Sequence, residues 1–366
     1  MKFRSVALAS ATLLVLVPAG MAQAAPSSDP TVVTGGLTTP LHLSAGPDGT
    51  VAVAQSFAGM LSTVTDGEAT TVHADEGWEI GGVDYQGDTL YFLQSMGAGP
   101  EDPRPMVGIL QAIDAEGNVT TITDELATHE IENNLDAEVR YGLSVEDAEA
   151  NPECVAELGE LGIPASYAGA DVEVDSHAYS VAVRGNTAYV ADAGANAVLA
   201  VNLTTGAIST VAVLPAQMAM ISDEAAAGMG VPSCGGLEYG FEAVPTDIEF
   251  GPGGKLYVGL LPGGPEDPSL GARGSVYSID LRTGEAEPYV TGLLSPTGIA
   301  FQGRDLYVAS LFGGAVYKVD ARTMEMTTVL EAPLPSDIDI SGSTLYALTQ
   351  SLFEGPSGQL VSLKLK

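Results

Sequence analysis

A pattern of apolar and polar positions recurs six times along the chain. Each copy has an alternating apolar stretch, a tight turn with Gly or a polar pair, and a second alternating stretch, usually with Tyr at its centre. The copies read LHLSAGPDGTVAVA at 41–54, GVDYQGDTLYFL at 82–93, SVAVRGNTAYVA at 180–191, DIEFGPGGKLYVG at 247–259, GIAFQGRDLYVA at 298–309 and DIDISGSTLYAL at 337–348. Period-two alternation places successive side chains on opposite faces of a strand, and the Gly-containing turns reverse the chain, so each copy predicts a β-hairpin. Third and fourth strands follow most copies, as in AVLAVNLTTGAISTVAV at 197–213, SVYSIDLRTGEAEPYV at 275–290 and AVYKVDARTMEMTTVL at 315–330.

The anchor positions are Ala52, Tyr91, Tyr189, Tyr257, Tyr307 and Tyr346, and their successive separations are 39, 98, 68, 50 and 39. A repeat of roughly 40 residues suits a four-stranded propeller blade. The five tyrosines are expected in the core between packed sheets. The last copy ends in QLVSLKLK at 359–366 with no fourth strand after it, and TVVTGG at 31–36 supplies one. The prediction is an all-β, six-bladed β-propeller whose N-terminal strand closes the last blade and removes an open sheet edge.

Two gaps exceed the repeat. Residues 130–174 are acidic and rich in Ala, Leu and Glu, without an alternating strand pair, and read as short helices and loops rather than a seventh blade. Residues 218–243 form a second insertion. Each carries one cysteine, Cys154 and Cys234, and in an exported chain these are expected to pair and tie both insertions together on one face. Export is expected because Lys2 and Arg4 precede an apolar run from Val6 to Val17 and an Ala22-Gln23-Ala24 cleavage signature. Residues 1–24 then form a signal peptide, and 25–366 a single propeller domain that is secreted, monomeric and without a membrane span.

With 13 Lys and Arg against 47 Asp and Glu, the formal net charge is −34. That excludes most nucleic-acid roles and disfavours anionic lipid surfaces, both of which need a basic face. It also suits solubility at high salt. The 45% hydrophobic content is ample for a large core.

HEIENNLD at 129–136, VDSHAYSVAV at 174–183, YVADAGANAVLAVNLTTGAISTVAVLP at 189–215 and PTDIEFGPGGKLYVGLLPG at 245–263 resemble the ScyD/ScyE family, exported propeller-like proteins named from scytonemin gene clusters. The resemblance spans nearly all of the chain after the leader and is strongest from Asp175 to Pro215. It departs from the family pattern at Ser176-His177, where Asn-Pro is usual, and in carrying Cys154 and Cys234. It implies a secreted propeller and no established catalytic activity.

Aligning the six copies puts His42, Gly82, Ser180, Asp247, Gly298 and Asp337 at one level of the central channel. Ser44, Asp84, Ala182, Glu249, Ala300 and Asp339 stand two residues on, facing the same way. His42, Asp84, Ser180, Asp247, Glu249, Asp337 and Asp339 are therefore the candidate binding residues. Asp247 and Asp337 are the candidate ligands for Ca²⁺ or Mg²⁺, which take converging oxygens. No calcium-loop spacing and no G-x-S-x-G elbow occurs, and His177, near Ser180 in sequence, is expected as a turn or rim residue. Trp78 is expected to pack against the first blade. The loops at 96–108 and 262–274 share a GPEDP pattern, read as duplicated turn chemistry.

No catalytic residue is assigned. The expected function is a non-catalytic binding or scaffold protein for an extracellular protein, an envelope component or a small metabolite. The alternative is a metal-dependent lactonase or esterase-like hydrolase resembling the gluconolactonase and regucalcin (SMP-30) group, for which no counterpart of the glutamate near the N-terminus is found. A lyase of the virginiamycin type, with His42 in the channel, is the weakest reading.

Overall fold

The structure, a computed structural model, describes residues 29–98, 102–265 and 268–365. The expected leader and parts of both GPEDP loops, residues 99–101 and 266–267, lie outside the described residues.

Seven four-stranded antiparallel sheets account for the strands of the described residues. In six of them the first strand of the repeat is innermost: Pro40–Ala45, Glu79–Gln86, Ala178–Arg184, Pro245–Phe250, Pro296–Gln302 and Ile338–Ser341. These six strands pack side by side in a closed cycle, the last against the first. We call their sheets ring sheets one to six, in chain order. Burial falls from the centre outward. In ring sheet one, Val51–Gln55 is buried throughout, whereas the outermost strand Glu68–Ala74 is almost wholly exposed. That strand carries Glu68, Thr70 and Thr71, polar edge residues that discourage pairing with other chains.

Neighbouring sheets bury apolar faces against each other. Ala182 and Val198 of ring sheet three share a cluster with Ile248, Leu256 and Val258 of ring sheet four. The repeated tyrosines lie where the sequence places them: Tyr257 and Tyr307 are buried, and Tyr91, Tyr189 and Tyr346 pack half-buried against the same inter-sheet clusters. Trp78 lines one cavity together with Phe57, which lies in the turn between the second and third strands of ring sheet one.

The N-terminal strand Thr31–Leu37 pairs antiparallel with Gly358–Lys364, in register Thr31↔Ser362 to Leu37↔Gly358, and becomes the outer strand of ring sheet six. The two ends of the described chain thus meet in one sheet, which closes the cycle without leaving an edge between first and last repeats.

The insertions hold more order than the sequence suggests. The short helices expected at 130–174 are present as Val145–Ala150 and Pro152–Glu160; Leu126–Asn133 precedes them, and the second insertion adds Asp223–Met229. Ser144 and Ser222 cap two of them, their side chains accepting the amides of Asp147 and Ala225. The same insertions also build the seventh sheet, in the order Ser166–Ala168, Arg140–Gly142, Glu238–Phe241, Gln217–Met220. This corrects the reading of helices and loops alone. The strands are three or four residues long, too short for a period-two signal, and Gly142 of the first insertion pairs with Gly240 of the second.

The disulfide Cys154–Cys234 is formed, with an S–S distance of 2.02 Å, and both cysteines are buried among Leu143, Leu158, Ile221, Val231 and Tyr239. Among the described residues no helix is long and apolar enough to cross a membrane.

Antiparallel order fixes where the insertions sit. Four alternating strands bring the chain back to the end of the ring where the first strand began. Outer-to-inner connections and the loops between second and third strands therefore share one face. Both insertions are outer-to-inner connections, and both GPEDP loops join second to third strands. All four belong to that entry face.

Candidate functional site

The ring brings the sequence-predicted channel residues together. His42, Ser44, Gly82, Asp84, Ser180, Asp247, Glu249, Asp337 and Asp339 line one central cavity; Ala182, Gly298 and Ala300 do not. Its free volume is about 30 Å³, space for water and little else. The ring is drawn tight where glycine replaces a side chain. A Cβ on Gly82 would stand 2.5 Å from the Ser180 Cα, and one on Gly298 would stand 2.7 Å from the Asp337 Cα.

The four aspartates are staples between adjacent ring sheets. Asp337 Oδ2 accepts the Leu43 amide at 2.7 Å, and Asp339 Oδ2 accepts the Ala45 amide at 2.7 Å, joining ring sheet six to one. Asp84 Oδ2 accepts the Val183 amide at 2.5 Å, joining two to three, and Asp247 Oδ2 accepts the Ile299 amide at 2.6 Å, joining four to five. The second oxygen of Asp247, Asp337 and Asp339 accepts the amide of its own following residue. Ser180 Oγ donates to Asp247 Oδ1 at 2.8 Å, joining three to four, and Ser44 Oγ accepts the Tyr85 amide at 3.2 Å, joining one to two. Innermost strands at a ring centre have no sheet partner on that side, so their amides need such acceptors.

Burial pushes the Asp84 carboxyl up to about 7 against the opposing pull of the Val183 amide, and pushes Asp247 up to about 6. Asp337, Asp339 and Glu249 are raised for the same first reason, and the neighbouring carboxylates add to the rise for Glu249 and Asp337. Glu249 retains some access to water within the ring.

A divalent-metal reading does not fit this donor set. Ca²⁺ takes six to eight oxygens and Mg²⁺ a regular six. Asp247 and Asp337, the expected ligands, spend their oxygens on strand amides and Ser180. Among the described residues no group of three or more His, Cys, Asp or Glu is placed to hold an ion. The two residues are positioned as inter-sheet staples, a role that repeat alignment alone does not reveal because it depends on the neighbouring strand.

Replacing Asp337 by alanine is expected to cost about 2–4 kcal/mol, because it strands the buried Leu43 and Ile338 amides. Urea denaturation measures this directly. A loss below about 0.5 kcal/mol, the range of an ordinary surface substitution, would show that the staple is idle.

At the entry end stands a cluster the sequence reading missed. His177 Nε2 lies 3.1 Å from Glu79 Oε2, and Asp192 accepts both the His177 amide and Ser176 Oγ. Burial lowers the His177 imidazole, but the Glu79 hydrogen bond and charge outweigh it and leave it raised. Tyr179 packs edge-on against both His177 and His42. Burial holds the His42 imidazole neutral, at about 4, and its Nε2 has no hydrogen-bond partner among the described residues. Ser180 donates to Asp247 and makes no pair with His177 among the described residues.

A cavity of about 410 Å³ lies among turns of ring sheets one and two, away from the insertions, and two others border the insertions on the entry face. One of these two, of about 570 Å³, is bordered by Asp102, Arg104, Glu130, Asp136, Asp175 and Glu242, among others. Burial pushes the Glu130 carboxyl up to about 7. Asp136 accepts the Tyr141 hydroxyl at 2.7 Å and the Asn196 amide group at 3.0 Å. The other, of about 300 Å³, is walled by apolar side chains of the insertions, with Glu242 and Tyr167 in its lining. The GPEDP loops contribute to both rims, Asp102 and Arg104 to the first and Gly263 to Pro265 to the second. The alternating EYGF at 238–241 and the acids of HEIENNLD were the available sequence signals for these walls.

The chain matches no known family and no curated protein by sequence. It is similar in structure to a protein of unknown function from Bacteroides thetaiotaomicron (TM-score 0.55, 13% identity, covering 91% of this chain and 75% of that one). It is also similar to a PQQ-bound aldose sugar dehydrogenase from Streptomyces coelicolor (0.51, 12%, 93% and 99%). A third similar structure is a catalytically inactive virginiamycin B lyase from Staphylococcus aureus with quinupristin (0.50, 13%, 92% and 99%). At such identities the likeness establishes the β-propeller fold and nothing of the chemistry.

Proposed function

We propose that this is a secreted, non-catalytic, six-bladed binding propeller of the ScyD/ScyE kind, which holds a small metabolite or a partner's side chain on its insertion-bearing face. The observation that carries this reading is the distribution of space. The ring centre has a free volume of only about 30 Å³, and its carboxylates are engaged in holding the sheets together. The entry face offers cavities of about 570 and 300 Å³. Pockets of the latter sizes suit small ligands. A disulfide tying the two insertions together supports an oxidising compartment, and hence export.

A thermal melt with EDTA, Ca²⁺ or Mg²⁺, combined with a lactone-hydrolysis assay, tests the reading against a channel hydrolase. A ligand that binds only the folded state raises the midpoint with concentration. The expected outcome is an unmoved midpoint and no turnover. A saturable rise with metal that is lost in Asp247→Asn, together with metal-dependent lactone hydrolysis, would replace the binding reading with the gluconolactonase-type one.

A further inference from the structure

Glu242 lines both entry-face cavities. On one side it faces a pocket whose walls include Leu158, Ile163, Met229, Val231, Phe241 and Leu270. The other polar groups of that pocket are largely spent. The Tyr239 hydroxyl donates to the Pro164 carbonyl at 2.8 Å, and the Tyr167 hydroxyl donates to Glu242 Oε1 at 3.2 Å. Arg273 at its rim donates to the Gly263 and Pro265 carbonyls and lies over the Phe241 ring, 4.4 Å from its centroid.

On its other side Glu242 meets the polar cavity. There Glu130, Asp136, Glu173 and Asp175 gather with Arg104, and Arg104 is already paired to Asp102. Among the described residues no ion pair reaches Glu242, Asp136 or Asp175. Among the described residues the apolar pocket therefore ends at a carboxylate with no ion-paired cation, with further acidic groups behind it.

We propose that this pocket binds an amphiphilic amine. The hydrocarbon or aromatic body occupies the apolar cavity, and the ammonium sits at Glu242, facing the acidic cavity. This rests on the entry-face reading above and adds the ligand's chemical class. The apolar walls supply affinity for the body. The half-buried carboxylate supplies a charge-assisted acceptor for the ammonium. An anionic ligand would meet repulsion from every acid behind Glu242, and a neutral one would leave that carboxylate uncompensated.

Isothermal titration of the full mature chain at 0.15 M salt tests this with n-hexylamine, n-hexanol, hexanoate and methylammonium. Hexylamine is expected to bind saturably at one site, at least about tenfold more tightly than hexanol. Hexanoate and methylammonium are expected to give no saturable signal. Glu242→Gln, which keeps an acceptor for the Tyr167 hydroxyl, is expected to weaken hexylamine about tenfold and leave hexanol unchanged. Equal binding of hexylamine and hexanol, indifferent to Glu242→Gln, would overturn the amine assignment and leave the cavity reading standing. Methylammonium binding as well as hexylamine would reduce the site to general attraction by surface charge and overturn the assignment. Absence of binding by all four in a chain that melts cooperatively would overturn both the assignment and the cavity reading.

Discussion

The protein is expected to be markedly more stable at pH 5 than at pH 8. Asp84 and Asp247 are pushed up to about 7 and about 6 from an ordinary 3.8. Asp337, Asp339, Glu249, Glu130 and Glu242 shift in the same direction. A carboxyl raised on folding binds its proton more tightly in the native state. Stability then falls as pH climbs from the unfolded value near 4 through the folded value, and levels off above it. Each tenfold gain in proton affinity corresponds to about 1.4 kcal/mol, so Asp84 and Asp247 together account for roughly 6 kcal/mol between pH 4 and pH 8. The half-buried Asp102, Asp114, Asp280 and Asp320 are lowered by hydrogen bonds and act oppositely, losing their contribution only below pH 4. The optimum should therefore be mildly acidic.

Melting midpoints from pH 4 to 8 check this, with a fall on the order of 10 °C expected across the window. Repulsion among surface acids has the same sign but is screened by salt, whereas the ring carboxylates are shielded from it. The slope should thus survive 0.5 M NaCl and flatten in Asp84→Asn. A midpoint that is level from pH 5 to 8, or a slope abolished by salt, would show that the ring acids titrate normally.

The second large effect belongs to the disulfide. Cys154 and Cys234 are 80 residues apart, and closing so long a loop removes enough unfolded-chain entropy to stabilise by about 4–5 kcal/mol in the loop-closure picture. The double replacement Cys154→Ala, Cys234→Ala is expected to lose most of that. The loss should appear first in the seventh sheet, whose strands of three or four residues have little hydrogen bonding of their own. Hydrogen exchange should find the amides of Leu143 and Ile221 opened well before those of Val190 and Val258 in the ring. An unchanged melt with unchanged exchange would mean that the apolar cluster around Leu158 and Tyr239 holds the insertions without the bridge. Early opening of the insertions also bears on binding, because the pocket beside Glu242 is walled by both of them.

The ring was already written in the chain's local chemistry. Alternating apolar positions, Gly turns and a spacing of roughly 40 residues specify strands, reversals and repeat, because these are local properties of the backbone. The N-terminal strand was legible because the last repeat visibly lacks a fourth strand. The cysteine pairing followed from having two cysteines in a chain whose leader-like start predicts export. Even the convergence of His42, Asp84, Asp247 and Asp337 could be read, since equivalent positions of a repeat must meet at its axis.

What those residues do depends on long-range contacts. Asp337 is a staple because the Leu43 amide, 294 residues away, needs an acceptor, and no local pattern records that need. Gly82 and Gly298 close the ring centre through the approach of the next strand, not through their own sequence neighbours. The seventh sheet joins two insertions separated by a whole ring sheet, with strands too short to show a period. The pocket at Glu242 exists only where those segments, the disulfide and a rim loop come together. Local chain chemistry sets the repeat, whereas the free space and the unpaired charge arise from contacts between distant segments.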